Sequence, residues 1–86
     1  GENKMYSQEI DKILTDNRLS FKAKGIYLII YQGKINITLE NLKQISSDGT
    51  TAIANGIKEL EQLGYIKKEI VRENGKFKKV LYKITK

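Results

Sequence analysis

Apolar residues recur at helical spacing through the first two thirds of this chain and alternate in its last third. From Tyr6 to Thr15, the residues Ile10, Ile13 and Leu14 fall at i, i+3 and i+4, one face of a short amphipathic helix. Asp16-Asn17-Arg18 reads as a turn. Ser20 suits the N-cap of a second helix. In that helix Phe21, Ala23, Ile26, Tyr27, Ile29, Ile30 and Tyr31 cover most of the circumference, which predicts the buried spine of the domain. Gly25 inside it costs roughly 1 kcal/mol against alanine, and is read as a point of close helix–helix contact. Gln32-Gly33 closes the helix, with Gly33 at C′.

Lys34-Ile35-Asn36-Ile37 alternates and predicts a small edge strand. Thr38 can cap a third helix, in which Leu39, Leu42 and Ile45 keep helical spacing to about residue 46. Ser46-Ser47-Asp48-Gly49 is a compact turn, with Ser47 or Asp48 as a cap for the fourth helix. From Thr50 to Leu63 a single stripe, Ile53, Ile57, Leu60 and Leu63, marks the best-patterned helix, and Gly64 is its expected left-handed terminator. Tyr65 to Lys86 is strand, turn, strand around Asn74-Gly75, the strongest short hairpin signal. A two-residue turn pairs Glu73 with Lys76 and sets Ile66 on the face opposite Val80, Tyr82 and Ile84. A three-residue turn with Gly75 left-handed pairs Arg72 with Lys76 and brings Ile66, Ile70, Val80, Tyr82 and Ile84 together. A one-residue slip moves every side chain of a strand to the other face, so the core is expected to select the three-residue, bulged turn.

Charge adds a second pattern. The net charge is +6. Residues 1–66 hold eight basic and eight acidic side chains, whereas residues 67–86 hold eight basic ones against Glu69 and Glu73. The whole excess lies in the predicted hairpin, as a footprint for phosphates would. Cysteine and histidine are both missing, which excludes disulfides, thiolate metal sites and the usual general base near neutral pH. Paired carboxylates such as Asp11 and Asp16, or Glu59 and Glu61, are too ordinary to support a catalytic site, and there is no phosphate-binding glycine loop. The chain therefore reads as no enzyme and as needing no cofactor or metal. No apolar run approaches the ~20 residues that span a bilayer, so a cytoplasmic location without a membrane partner is expected. Residues 1–86 make one domain, with 1–5 expected to be disordered.

The element order is α+β: helices, then a small antiparallel sheet that ends in a basic hairpin. Two short helices around a glycine-containing turn, followed by such a hairpin, describe a winged helix-turn-helix. The recognition helix is placed at about 49–63 and the wing at about 67–84. With Ile53, Ile57, Leu60 and Leu63 facing the core, the opposite side carries Gly49, Thr50, Thr51, Asn55 and Lys58, residue types that can read a major groove. On the wing, Arg72, Asn74, Lys76, Lys78 and Lys79 surround the tip and are assigned to the DNA backbone or minor groove. Phe77 could stack on a base or sugar but is expected to pack against the adjacent helix, and Lys22 and Lys24, which could add backbone contacts, are expected to be solvated. Tyr6, Ile10, Ile13 and Leu14 form a candidate oligomer face, because an amphipathic N-terminal helix can cover its own domain or a partner's.

Leu19-Ser20-Phe21-Lys22-Ala23-Lys24-Gly25-Ile26-Tyr27 is similar to the signature that opens a group of winged-helix domains. The stretches Ser47-Asp48-Gly49 and Ile57-Lys58-Glu59-Leu60-Glu61-Gln62-Leu63-Gly64-Tyr65-Ile66-Lys67 resemble that group's later segments. Glu73-Asn74-Gly75-Lys76-Phe77-Lys78, with Tyr82, resembles its wing. Such domains stand at the N-termini of phage and plasmid replication proteins, including replisome organisers and DnaD-like initiators. The resemblance covers about residues 8–84 and implies a module for DNA replication initiation that binds double-stranded DNA. It also implies replication-machinery proteins and a homodimer as partners. The group often carries basic residues at the start of the recognition helix, where this chain has Thr50, Thr51 and Asn55. The alternatives are a winged-helix transcriptional regulator and a protein-interaction or dimerisation winged helix.

Overall fold

The computed structural model describes residues 8–33 and 37–85. Its helices begin where local chemistry satisfies their first amides. Ser20 caps the second helix as expected, its Oγ accepting from the Ala23 N–H at 3.1 Å. Thr38 caps the third, accepting from the Asn41 N–H at 3.1 Å. The elements are α1 (Gln8–Leu14), α2 (Phe21–Gly33), α3 (Leu39–Gln44), α4 (Thr50–Gln62), β1 (Ile66–Glu73) and β2 (Lys76–Ile84). The strands pair antiparallel as a two-stranded sheet. The fold is α+β, four helices followed by a C-terminal hairpin, a layout compatible with a winged helix.

Several ends depart from expectation. Helix α2 includes Gly33 rather than stopping before it. Neither Ser47 nor Asp48 caps α4: its N-cap is Gly49, with no side-chain hydrogen bond, because Ser46 Oγ closes the preceding turn by accepting from the Asp48 N–H at 2.9 Å. Ile45 continues the stripe of α3 in sequence, but it lies at the C-cap, after the helix has ended, and is 60% exposed. Of the expected edge strand, Lys34, Ile35 and Asn36 lie outside the described residues. Ile37 forms one antiparallel bridge with Tyr82, whose N–H donates to the Ile37 carbonyl at 2.9 Å. Helix α4 ends as predicted: Gly64 has φ +82°, the Gly64 N–H bonds the Glu61 carbonyl, and the Tyr65 N–H bonds the Leu60 carbonyl at 2.8 Å, a Schellman arrangement.

The core is built on α2. Ala23, Ile26, Tyr27 and Ile30 bury one side of it against Ile53, Ile57 and Leu60 of α4, with Ile10 and Ile13 of α1, Leu42 of α3 and Ile66 of β1 closing the remaining sides. Tyr27 meets Tyr65 edge-on at 5.9 Å between centroids and stacks with Tyr31 at 6.0 Å. The close helix contact lies at Gly56 of α4, not at Gly25. A Cβ built on Gly56 would stand 2.7 Å from Ile26 Cδ1 and 3.6 Å from Ala23 Cα, whereas one built on Gly25 meets nothing within 4 Å. The same crossing is pinned at its edge by Glu59. Its carboxylate accepts the Ser20 N–H at 2.8 Å and the Ser20 hydroxyl at 3.0 Å. In a capping box that carboxylate comes from the third helical residue. Here that residue is Ala23, and α4 supplies the group instead.

The hairpin turns in two residues, not three. Asn74 and Gly75 both have positive φ, 55° and 78°, the geometry that suits a tight turn to the twist of its strands. Glu73 pairs with Lys76 and Arg72 with Phe77; the register then shifts, and Val71 pairs with Lys79. Lys78 is the extra residue of a β-bulge. Beyond it Ile70 pairs with Val80, Lys68 with Tyr82 and Ile66 with Ile84, so the apolar set does share one face. The bulge that the core requires sits in β2 rather than in the turn.

Candidate nucleic-acid interface

Burial of one side of α4 determines what the other presents. With Ile53, Gly56, Ile57 and Leu60 against α2, the residues Thr50, Thr51, Ala54, Asn55 and Lys58 are all exposed. The missing side chain at Gly56 lets α4 seat deeply on α2. The first turn of α4 holds no acidic residue and its N-cap no side-chain acceptor; the acidic residue nearest in sequence to the positive end of its dipole is Asp48, just before the cap.

Arg72, Asn74, Lys76, Lys78 and Lys79 are likewise exposed around the hairpin turn. At about 3.3 Å per residue, the eight residues of β1 run about 26 Å, which carries these cations away from the helical body. Two ion pairs cross this surface, Lys78 with Glu73 at 3.0 Å and Lys83 with Glu69 at 2.9 Å. Both are solvent-exposed pairs of the kind that contributes little stability, so Lys78 can exchange its carboxylate for a phosphate at small cost.

The hairpin root is tied to the turn between α1 and α2. The Tyr65 hydroxyl donates to Asp16 Oδ2 at 2.6 Å, and Arg18 donates to the same carboxylate through Nη2 at 2.7 Å, Nε at 2.9 Å and its backbone N–H at 2.9 Å. The Arg18 guanidinium first, then the Tyr65 hydroxyl, hold the Asp16 carboxyl well below the usual carboxylate range. Burial, then the bond to Asp16, pushes the Tyr65 phenol up. The Thr85 N–H donates to the Tyr65 carbonyl at 3.0 Å, which fastens the second strand at the same place.

The two groups of sequence-predicted residues meet at a cleft of about 550 Å³ between α3, the start of α4 and β2. Leu39, Val80 and Tyr82 form its apolar part, with Thr50, Lys43 and Lys79 around it. Phe77 also lines the cleft, yet is 60% exposed. It is not packed down on the neighbouring helix as expected: it shares the face of Val80 and Tyr82 but pairs with Arg72 beside the turn, at the exposed end of the strand.

Folding divides the candidate oligomer face. Ile10 and Ile13 are buried in the chain's own core, Ile13 completely. Only Leu14 of that set stays exposed, and Tyr6 lies outside the described residues. Lys24 is committed as well: its Nζ donates to the Leu14 carbonyl at 3.0 Å, capping the end of α1, and lies 5.7 Å from the centroid of the exposed Phe21 ring.

Sequence reasoning missed Gly56, Glu59 and the Asp16–Tyr65 tie. Only the Asp16–Arg18 half of that tie has a local signal, the turn itself. Among the described residues no helix is long and apolar enough to cross a membrane, and no group of three or more acidic side chains comes together as a metal site would require. Compared with known proteins, the chain matches no family model, no curated protein and no solved structure.

Proposed function

We propose that this chain is a winged helix-turn-helix domain that binds duplex DNA. Helices α3 and α4 form the helix-turn-helix, and α4 lies in the major groove. There Asn55 can bond an adenine edge, Thr50 and Thr51 a phosphate or thymine methyl, and Lys58 a guanine or phosphate. The hairpin is the wing, following the backbone with Arg72, Asn74, Lys76, Lys78 and Lys79. One observation carries the reading: the entire +6 of the chain lies in residues 67–86, the stretch that contains the hairpin, beside an exposed helix face whose one charged residue is Lys58. Lysines also deter edge-to-edge pairing of exposed strands; a polyanion footprint accounts as well for the nearly uncharged exposed face of α4 beside them.

The resemblance of the Leu19–Tyr27 segment and of the hairpin to phage and plasmid replication proteins supports a role in replication initiation rather than transcription. Burial of Ile10 and Ile13 removes the observation that favoured a dimerisation domain.

A salt titration of duplex binding tests the proposal. Four wing cations on phosphates give a log–log slope of about −3.6, and substituting Lys76, Lys78 and Lys79 together by Ala should flatten it to about −0.9 while weakening binding at every salt concentration. Unchanged affinity and slope in the triple variant would remove the wing from the interface.

A further inference from the structure

We infer that the cleft between α3 and β2 seats an unpaired nucleotide, with Phe77 as its stacking platform and Lys43 and Lys79 on the flanking phosphates. The inference rests on the nucleic-acid reading above but asks for a ligand that a closed duplex cannot supply. A paired base shows a protein only its edge. An aromatic ring gains from a base only when the base is out of its stack and offers a face.

Phe77 is set up for a face. It lies two residues past the left-handed Gly75, pairs with Arg72 across the hairpin, and lines the cleft while keeping 60% of its surface open. Bulging at Lys78 decides this placement. Phe77 follows the register of the turn, whereas Lys79 and everything after it follow the register of the core. A ring with 60% of its surface uncovered among Arg72, Lys76, Lys78 and Lys79 adds little to folding. Combined with those cations, it is the pairing of stacking surface and positive groove by which proteins hold single strands.

The cleft's size and lining fit. Its volume of about 550 Å³ falls within the range of small-molecule sites. Leu39, Val80 and Tyr82 give the base an apolar seat. Glu40 also lines the cleft; its carboxylate repels phosphate, so the backbone is directed along Lys43 and Lys79, and Glu40 is left to accept from a base N–H, which thymine supplies at N3. Lys43 and Lys79 come from elements on opposite sides, which suits a strand crossing between them.

Fluorescence anisotropy on the intact chain, at about 50 mM salt where phosphate contacts are strong, tests the idea with three probes: a blunt duplex, the same duplex with a short oligothymidine overhang, and the oligothymidine alone. The overhang duplex is expected to bind about ten-fold more tightly than the blunt one. Phe77→Ala should abolish that preference and leave blunt-duplex affinity within about two-fold, whereas Phe77→Tyr, which keeps the ring, should retain it. Because Phe77 lies outside the core, neither variant threatens the fold. Equal affinity for blunt and overhang duplexes would overturn the inference, as would a Phe77→Ala loss of equal size on both. Binding of oligothymidine without binding of blunt duplex supports this site and overturns the duplex reading instead. Failure to bind any probe overturns both.

Discussion

Two glycines in helix interiors should respond in opposite ways to the same substitution. Gly25→Ala and Gly56→Ala each gain about 1 kcal/mol of intrinsic helix propensity. At Gly25 nothing stands within 4 Å of the added Cβ, so the gain should appear in full. At Gly56 the new carbon would lie 2.7 Å from Ile26 Cδ1, about 1 Å inside the carbon–carbon optimum. Ile26 is 6% exposed, so its Cδ1 can yield only by turning toward the small cleft that it lines with Gly25, Ile29 and Leu42. Ala23 Cα, at 3.6 Å, is backbone and keeps α2 from yielding on that side. Adding a methyl group to a filled core costs about 1–3 kcal/mol.

The propensity contribution is common to both variants, so their difference isolates the packing cost. Urea unfolding followed by far-ultraviolet circular dichroism should place Gly25→Ala about 1–3 kcal/mol above Gly56→Ala. For a chain of 86 residues each kcal/mol is worth about 4–8 °C in Tm, so the gap is also measurable by melting. If both variants gain the same stability, the α2–α4 approach is looser than the geometry says, and the seating of α4 at Gly56 loses its basis. The separation matters for function, because displacing α4 from α2 moves the exposed face of Thr50, Thr51 and Asn55 relative to the hairpin.

Two other side chains carry predictions. Glu59→Ala should cost about 1–2 kcal/mol by removing the carboxylate that accepts both Ser20 donors. A double-mutant cycle with Ser20→Ala should show coupling, and additive losses would mean that the two do not act together. Asp16 should shape the acid limb of stability. Its folded pKa lies below its unfolded value of about 3.9, so its contribution is complete above that pH and is lost as pH falls below it. Asp16→Asn should therefore melt lower than the native chain at neutral pH, and the gap should narrow progressively below about pH 4. A gap that stays constant through the acid range would deny the carboxylate charge any part in holding Tyr65.

How much of the fold is legible in sequence depends on how local each cause is. Ser20 and Thr38 caps, the Gly64 terminator and the position of the Asn74-Gly75 turn each depend on a few neighbouring residues, and each is legible; the length of that turn is not, because the register of the core bears on it as well. So is the exposed face of α4, because a stripe of Ile53, Ile57 and Leu60 leaves Thr50, Thr51, Asn55 and Lys58 no other side. Glu59 bonds a residue 39 positions away and Tyr65 one 49 away, and no local pattern encodes such a partner. Which of two helical glycines meets the neighbouring helix depends on how the helices are rotated about each other, a property of the pair and not of either segment. Ile10 and Ile13 show the same limit: their spacing marks a buried face, but not whose core buries it.

The hairpin joins both kinds of cause. Turn chemistry at Asn74-Gly75 favours two residues; burial of Ile66 with Val80, Tyr82 and Ile84 demands an offset that a two-residue turn cannot give. Treating these as rival registers assumes that one pairing runs the length of the ribbon. The chain satisfies both by changing register once, at Lys78. Near the turn, pairing obeys the turn, and near the root it obeys the core. Phe77, the last residue before the change, pairs with Arg72 and so shares the face of Ile70, Val80 and Tyr82, but it lies past them at the exposed turn end of the strand. An aromatic residue that reads as packing material in sequence thus becomes an exposed ring above the cleft. Without the bulge at Lys78 the Phe77 ring would lie on the face opposite Val80 and Tyr82; with it, the ring joins them along the cleft, beside the cations of the hairpin tip.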